Sequence, residues 1–256
     1  MTMKALVFAA GLGTRLRPLT DSIPKALVPL GDGTLLSHTL LKLKASGFDG
    51  VVVNTFHFAD KIEAYLKEND CFGMNVEISD ERGVLSPSAP LETGGGILYA
   101  RPLLGSGPFL VHNVDIVSNL DIPGFVAKAS PDDLATILVS DRKTSRYLLF
   151  DKDMALVGWE NVSTGEVKSP FPGLDREGLT RLAFSGIHLI SEEVFRVMEE
   201  MGTGPGALGP RFSIIDFYLR AAASFKIRGV TVPGLELIDV GKPETLALAR
   251  ERVSLL

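Results

Sequence analysis

The chain has 256 residues, is 45% apolar and carries 26 basic against 31 acidic residues, for a formal net charge of −5. That is enough apolar material for a substantial core, while the scattered basic residues form no face suited to a nucleic acid. A single cysteine, Cys71, excludes an internal disulfide and a cysteine-cluster metal site, and no apolar run approaches the roughly 20 residues that span a bilayer. The apolar part of MTMKALVFAAG is too short for a secretory signal, so a cytoplasmic protein without membrane partners is expected.

Short apolar, β-branched runs alternate with helix-period segments. KALVFAA (4–10) reads as a strand, TLLSHTLLKLKAS (34–46) as an amphipathic helix ended by Gly47, and GVVVNTF (50–56) as a second strand. ADKIEAYLKEN (59–69) reads as a helix and NVEIS (75–79) as a strand. GGGILYARPLL (94–104) reads as a helix starting at its glycines, and PFLVHNVD (108–115) and ATILVS (135–140) as further strands. RYLLFDKDMALVGWEN (146–161) predicts a hairpin turning at Asp151 to Asp153, followed by a loop over 162–181. LAFSGIHLI (182–190) is then a strand and SEEVFRVMEEM (191–201) a helix capped by Ser191. A glycine-proline loop (203–210), a helix (212–224) and a strand (226–232) follow, and PETLALARERV (243–253) closes as a helix with Pro243 in its first turn.

Continuous apolar strands separated by helices imply a mostly parallel sheet covered on both faces. No repeat, low-complexity tract or linker breaks the pattern, so one domain over 1–256 is expected.

The first strand runs into Ala10-Gly11-Leu12-Gly13-Thr14-Arg15, with Lys25 shortly after. Glycines at such a turn either serve only the turn or expose backbone amides to an anion. The segment is neither a Walker loop, which ends in Gly-Lys-Ser/Thr, nor the dinucleotide fingerprint, whose third glycine would fall at Leu16. Arg15 can grip phosphate oxygens through two parallel hydrogen bonds, and Lys25 supplies a point charge.

The stretch FAAGLGTRLRPLTDSIPKALVPL resembles the signature of the sugar-1-phosphate nucleotidylyltransferases, with Ala10, Gly11, Gly13, Thr14, Arg15, Pro18, Thr20, Pro24, Lys25 and Pro29 matching in order and spacing. LETGGGI, FLVHNVD, FSGI and LIDVGKPE resemble later family segments. The form is most similar to the short branch that includes N-acetylmuramate-1-phosphate uridylyltransferases and mannose-1-phosphate guanylyltransferases.

The resemblance implies a Rossmann-like three-layer α/β/α fold with a mixed central sheet. It divides the chain into a nucleotide part to about residue 115, a sugar part over about 116–240 and a C-terminal helix over about 243–253. It further implies that a nucleoside triphosphate and a sugar 1-phosphate are the partners, joined with loss of pyrophosphate. Arg15 and Lys25 would be catalytic. Ala10, Gly11, Leu12, Gly13, Thr14, Glu92, Thr93, Gly94 and Gly95 would hold the nucleotide. Asn113, Glu160, Ser185 and Gly186 would border the sugar, and Asp115 and Asp239 would hold Mg²⁺.

This chain departs from the family pattern at Val114, where glycine is usual, and at Asn161, where a Glu-Lys-Pro lysine usually meets the sugar phosphate. UTP with an amino-sugar or muramate-type 1-phosphate is the favoured pair. The alternatives are GTP with mannose 1-phosphate, a cytidylyltransferase acting on a non-sugar phosphate, and a non-catalytic nucleotide-sugar sensor.

Overall fold

The computed structural model describes residues 3–85, 89–202 and 207–253. The chain opens with β1 (Ala5–Phe8), followed by a short hairpin of β2 (Pro29–Leu30) and β3 (Gly33–Thr34) that leads into α1 (Leu35–Ala45). Thr34 and Ser37 cap α1 reciprocally: the Ser37 amide donates to Thr34 Oγ1 at 3.1 Å and the Thr34 amide to Ser37 Oγ at 2.8 Å. Then come β4 (Gly50–Thr55), α2 (Ala59–Glu68), β5 (Asn75–Asp80), α3 (Glu92–Leu104) and β6 (Phe109–Asn113).

The second half comprises β7 (Ile116–Ser118), α4 (Ile122–Val126), β8 (Asp133–Ser140), β9 (Arg146–Phe150), β10 (Leu156–Asn161) and β11 (Glu166–Lys168). The long β12 (Thr180–Ile190) precedes α5 (Val194–Met201), α6 (Ile214–Ala221), β13 (Lys226–Val230), β14 (Leu237–Asp239) and α7 (Pro243–Arg252).

Ten strands form one mixed sheet in the order β11-β10-β9-β12-β6-β1-β4-β5, with β8 joining β12 to β13. The run β5-β4-β1-β6 is parallel, as the continuous apolar strands predict. Successive residues face opposite sides, so Val51 and Val53 pack with Leu36 and Leu40 of α1 and Ile62 of α2, while Leu6, Val52 and Val111 pack with Ile97 and Ala100 of α3. From β12 onward the pairings are antiparallel, except β8 with β13.

Four local expectations change. Residues 166–168, read as loop, form β11, an exposed strand with no apolar pattern to announce it. Helix α3 begins at Glu92, two residues before the glycines. Ser191 does not cap α5: Glu193 occupies that position, and Ser191 Oγ accepts from the Glu193 amide at 3.3 Å in the turn before it. The three-residue strands β7 and β14 pair antiparallel, with Asp239 opposite Ile116. Of the glycine-proline loop, residues 203–206 lie outside the described residues. No described helix is long and apolar enough to cross a membrane.

Two histidines on neighbouring strands are buried on opposite sheet faces. Burial lowers His188 to about 3, with Nδ1 lying 2.5 Å from the Tyr218 hydroxyl. Burial likewise lowers His112 to about 4. A histidine that stays neutral when folded takes up a proton on unfolding once the pH drops below its ordinary value near 6.5. Stability should therefore be level above that value and fall below it, by ~2 kcal/mol from His188 alone at pH 5. Urea unfolding of wild type and His188→Gln at pH 7.5 and pH 5 checks this; equal losses in the two proteins would refute it.

Candidate active site

Where β1 ends, the Ala9 amide donates to the Asn54 carbonyl at 2.9 Å, and the chain turns away through residues 10–13. Gly13 sits at φ 64, and a Cβ there would meet Thr20 Cγ2 at 2.9 Å and Lys25 Cβ at 3.2 Å, so backbone handedness and packing both require glycine. The Thr20 hydroxyl donates to the Gly13 carbonyl at 2.8 Å and pins the turn. A Cβ on Gly11 would meet no protein atom within 4 Å. The fold itself does not need glycine there; what its absence of side chain provides is open approach to the backbone.

That turn walls a cavity of about 420 Å³, together with Lys25, Asn54, Glu81, Glu92, Thr93, Asn113 and Asp115. A second cavity of about 1050 Å³ lies beside it, lined by Arg142, Lys143, Arg146, Trp159, Asn161, Phe184 and Asp239 among others. Arg15 and Gly241 line both, so the two spaces meet at the arginine. Volumes of this order suit a nucleotide and a sugar phosphate side by side.

The charged groups gather at that junction. Lys25 Nζ forms an ion pair with Asp115 Oδ2, joining residues 90 positions apart. The β7–β14 ladder and a 2.8 Å bond from the Val240 amide to the Asp115 carbonyl bring Asp239 alongside. Burial raises the Asp239 carboxyl above its usual range, and the Asp115 charge raises it further; Lys25, Arg142 and Arg15 pull it down. Among the described residues, no third histidine, cysteine or carboxylate completes a protein-only metal cage.

Most of the expected site residues converge here: Ala10 to Arg15, Lys25, Glu92, Thr93, Asn113 and Asp115 on one cavity, and Asp239 on the other. Glu92 is held by Arg211 at 3.1 Å, and Thr93 Oγ1 accepts from the Ile214 amide at 3.0 Å.

Five expected residues are placed elsewhere. The Gly94 and Gly95 amides donate to the Phe212 carbonyl at 2.9 and 3.3 Å, so these glycines serve contact between α3 and the 210–212 segment. Glu160 is buried on the far face of its hairpin and pairs with Arg176 at 3.4 Å and with Arg181, while its neighbours Trp159 and Asn161 face the larger cavity. Ser185 is fully buried, with its hydroxyl 3.4 Å from that of Ser140.

Gly186, the fifth, supports the wall indirectly. It sits at φ 74, and a Cβ there would meet Asn113 Nδ2 at 2.9 Å.

Sequence reasoning misses Glu81. Its carboxylate, almost fully buried, accepts from Asn54 Nδ2 and from the Leu91 amide, each at 2.7 Å, and it lines the nucleotide-sized cavity. Burial raises its pKa despite both bonds. The available signal is position, since Glu81 follows the carboxyl end of a parallel strand, where open α/β sheets bind ligands.

An open glycine turn, Arg15 where two cavities meet, and Lys25 with two aspartates close enough to act on each other's charge make up this site. Residues 4–153 match the family model described as nucleotidyl transferase, and the chain belongs to that family. It is 34% identical over 260 residues to N-acetylmuramate alpha-1-phosphate uridylyltransferase of Caulobacter vibrioides, covering 98% of this chain and 96% of that one.

Two solved structures share the fold. A UDP-glucose pyrophosphorylase complexed with UDP-glucose aligns with a TM-score of 0.74 at 17% identity, over 100% of this chain and 99% of that one. HddC from Yersinia pseudotuberculosis, complexed with GMP-PN, aligns with a TM-score of 0.72 at 22% identity, over 98% of this chain and 100% of that one.

Proposed function

We propose that this nucleotidyltransferase joins UTP to an N-acetylmuramate-type sugar 1-phosphate, giving the UDP-sugar and pyrophosphate in the cytoplasm. The observation that carries the reading is the meeting of Arg15, Lys25, Asp115 and Asp239 where the two cavities join. The full-length likeness to the Caulobacter uridylyltransferase supports the choice of base and sugar.

A phosphate oxygen of the sugar 1-phosphate forms a bond to the α-phosphorus, and the bond from that phosphorus to the bridging oxygen breaks. The electron pair leaves with pyrophosphate. The attacking oxygen is already anionic, so no general base is required and the difficulty lies in bringing two polyanions together.

The open backbone at Gly11 to Thr14 faces the triphosphate, and Arg15 neutralises the departing pyrophosphate. Lys25, poised against Asp115, neutralises the α-phosphate as the fifth oxygen arrives. Asp115 and Asp239 fit Mg²⁺: two carboxylates with no third protein ligand among the described residues suit an ion that keeps waters and takes substrate phosphate oxygens. When bound, that ion supplies charge stabilisation at the phosphates.

A pyrophosphate-release matrix of UTP, GTP, CTP, ATP and dTTP against N-acetylmuramate, N-acetylglucosamine, glucose and mannose 1-phosphates and phosphocholine tests the reading. UTP with N-acetylmuramate 1-phosphate is expected to give the highest kcat/KM. A preference for GTP with mannose 1-phosphate, or for CTP with phosphocholine, would replace this substrate assignment. Nucleotide binding without pyrophosphate release would replace the catalytic reading by a sensor.

A further inference from the structure

The larger cavity lacks the lysine that the Glu-Lys-Pro turn would supply, because Asn161 stands there. Another cation would then meet the phosphate of the attacking sugar, and besides Arg15 five basic side chains line the wall: Arg142, Lys143, Arg146, Lys168 and Lys242. Lys168 is already engaged, 3.2 Å from the Asp216 carboxylate, 3.9 Å from that of Glu166 and 5.2 Å above the Trp159 ring. Lys143 and Arg146 are exposed on the loop and at the start of β9, and Lys242 is exposed just before α7.

Arg142 differs in three ways. It is half-buried, and Nη2 donates to the Phe184 carbonyl at 3.0 Å, which fixes the plane of the guanidinium. That carbonyl sits at the β12 bulge, where the register to β8 slips between Phe184 and His188. Its Nε is buried with no acceptor, and among the described residues no carboxylate pairs with it. An unmet donor of this kind is costly unless a ligand oxygen answers it. Finally, Arg142 shares the cavity wall with Arg15 and Asp239, and its charge is among those that act on the Asp239 carboxyl. It therefore stands at the reacting end of the cavity.

We propose that Arg142 is the residue that grips the phosphate of the sugar 1-phosphate, taking the place of the absent lysine from a different loop. A planar fork already held along one edge can orient a phosphate so that one oxygen faces the α-phosphorus, which a flexible lysine does less rigidly. The inference rests on the reaction class of the preceding section and not on which sugar is used.

The test uses whichever sugar 1-phosphate the wild-type enzyme turns over best, so a sugar other than N-acetylmuramate would overturn the substrate assignment while Arg142 is still judged. Arg142→Ala is expected to raise KM for the sugar 1-phosphate about 30-fold or more, with KM for the nucleoside triphosphate within about twofold of wild type. In the reverse direction KM for pyrophosphate should likewise be unchanged. Arg142→Lys, which keeps the charge and is gentler on folding, should recover part of the loss. Three results would overturn the proposal: an unchanged KM for the sugar phosphate, an equal rise for both substrates, or a selective loss found in Lys143→Ala or Arg146→Ala and not in Arg142→Ala.

Discussion

Lys25→Ala is expected to lower kcat about 10²- to 10³-fold at saturating concentrations of both substrates, the size of effect seen when one preorganised charge is removed from a developing anion. The side chain is well placed for such a role. It is almost buried, leaves a short 3₁₀ turn over Lys25–Leu27, and ends on Asp115 at the meeting point of the two cavities. Removing it leaves Asp115 and Asp239 facing each other with less compensation, so a modest drop in Tm is also expected. The decisive quantity is kcat measured on folded protein with both substrates saturating. Turnover within a few-fold of wild type would remove Lys25 from the chemistry and leave it a structural partner of Asp115.

Gly95→Ala should fail in a different way. A Cβ at that position would lie 2.5 Å from the Pro210 carbonyl oxygen and 3.1 Å from Leu91 Cβ, and a backbone oxygen has little freedom to move away. Alanine is otherwise favoured over glycine inside a helix by about 1 kcal/mol, so the sign of the change decides between local packing and propensity. Overpacking of about 1–3 kcal/mol should win, lowering Tm by roughly 3–10 °C in a chain of this size.

If Gly95 instead made room for a nucleobase, the variant would keep its Tm and lose affinity for the nucleoside triphosphate. Thermal unfolding and KM for the nucleotide, measured on the same preparation, separate these outcomes. An unchanged or raised Tm would show that the 210–212 segment yields.

The two variants mark where sequence is informative. The parallel strands are legible because burial on both faces demands unbroken apolar runs, as in Val51 to Val53. The convergence of the Gly11–Gly13 turn, Arg15, Lys25, Asp115 and Asp239 on two adjoining cavities is legible because family spacing carries them. The short ladder of β7 with β14 is not, since three residues cannot display a period. Neither is β11, whose residues are all exposed.

Glycine runs are ambiguous for a physical reason: close approach by a base and close approach by another backbone require the same missing Cβ. Glu160 lies away from the cavity because adjacent strand residues face opposite sides, and sequence alone does not say which side holds the cavity. Glu81 and Arg142 hide among charged neighbours, SDER and SDRKTSR, that read as solvated loops. Only their tertiary partners, the Leu91 amide and the Phe184 carbonyl, single them out.

Strand β12 deserves a mechanical reading. Its first residues pair with β9, which borders the larger cavity, its last with β6, which borders the smaller, and β8 flanks the bulge between them. One continuous stretch of backbone thus ties the two cavities together, and in the proposed reaction it would serve as a common ruler for both reactants. An insertion within residues 182–188 should therefore cost the alignment of the two cavities and lower turnover.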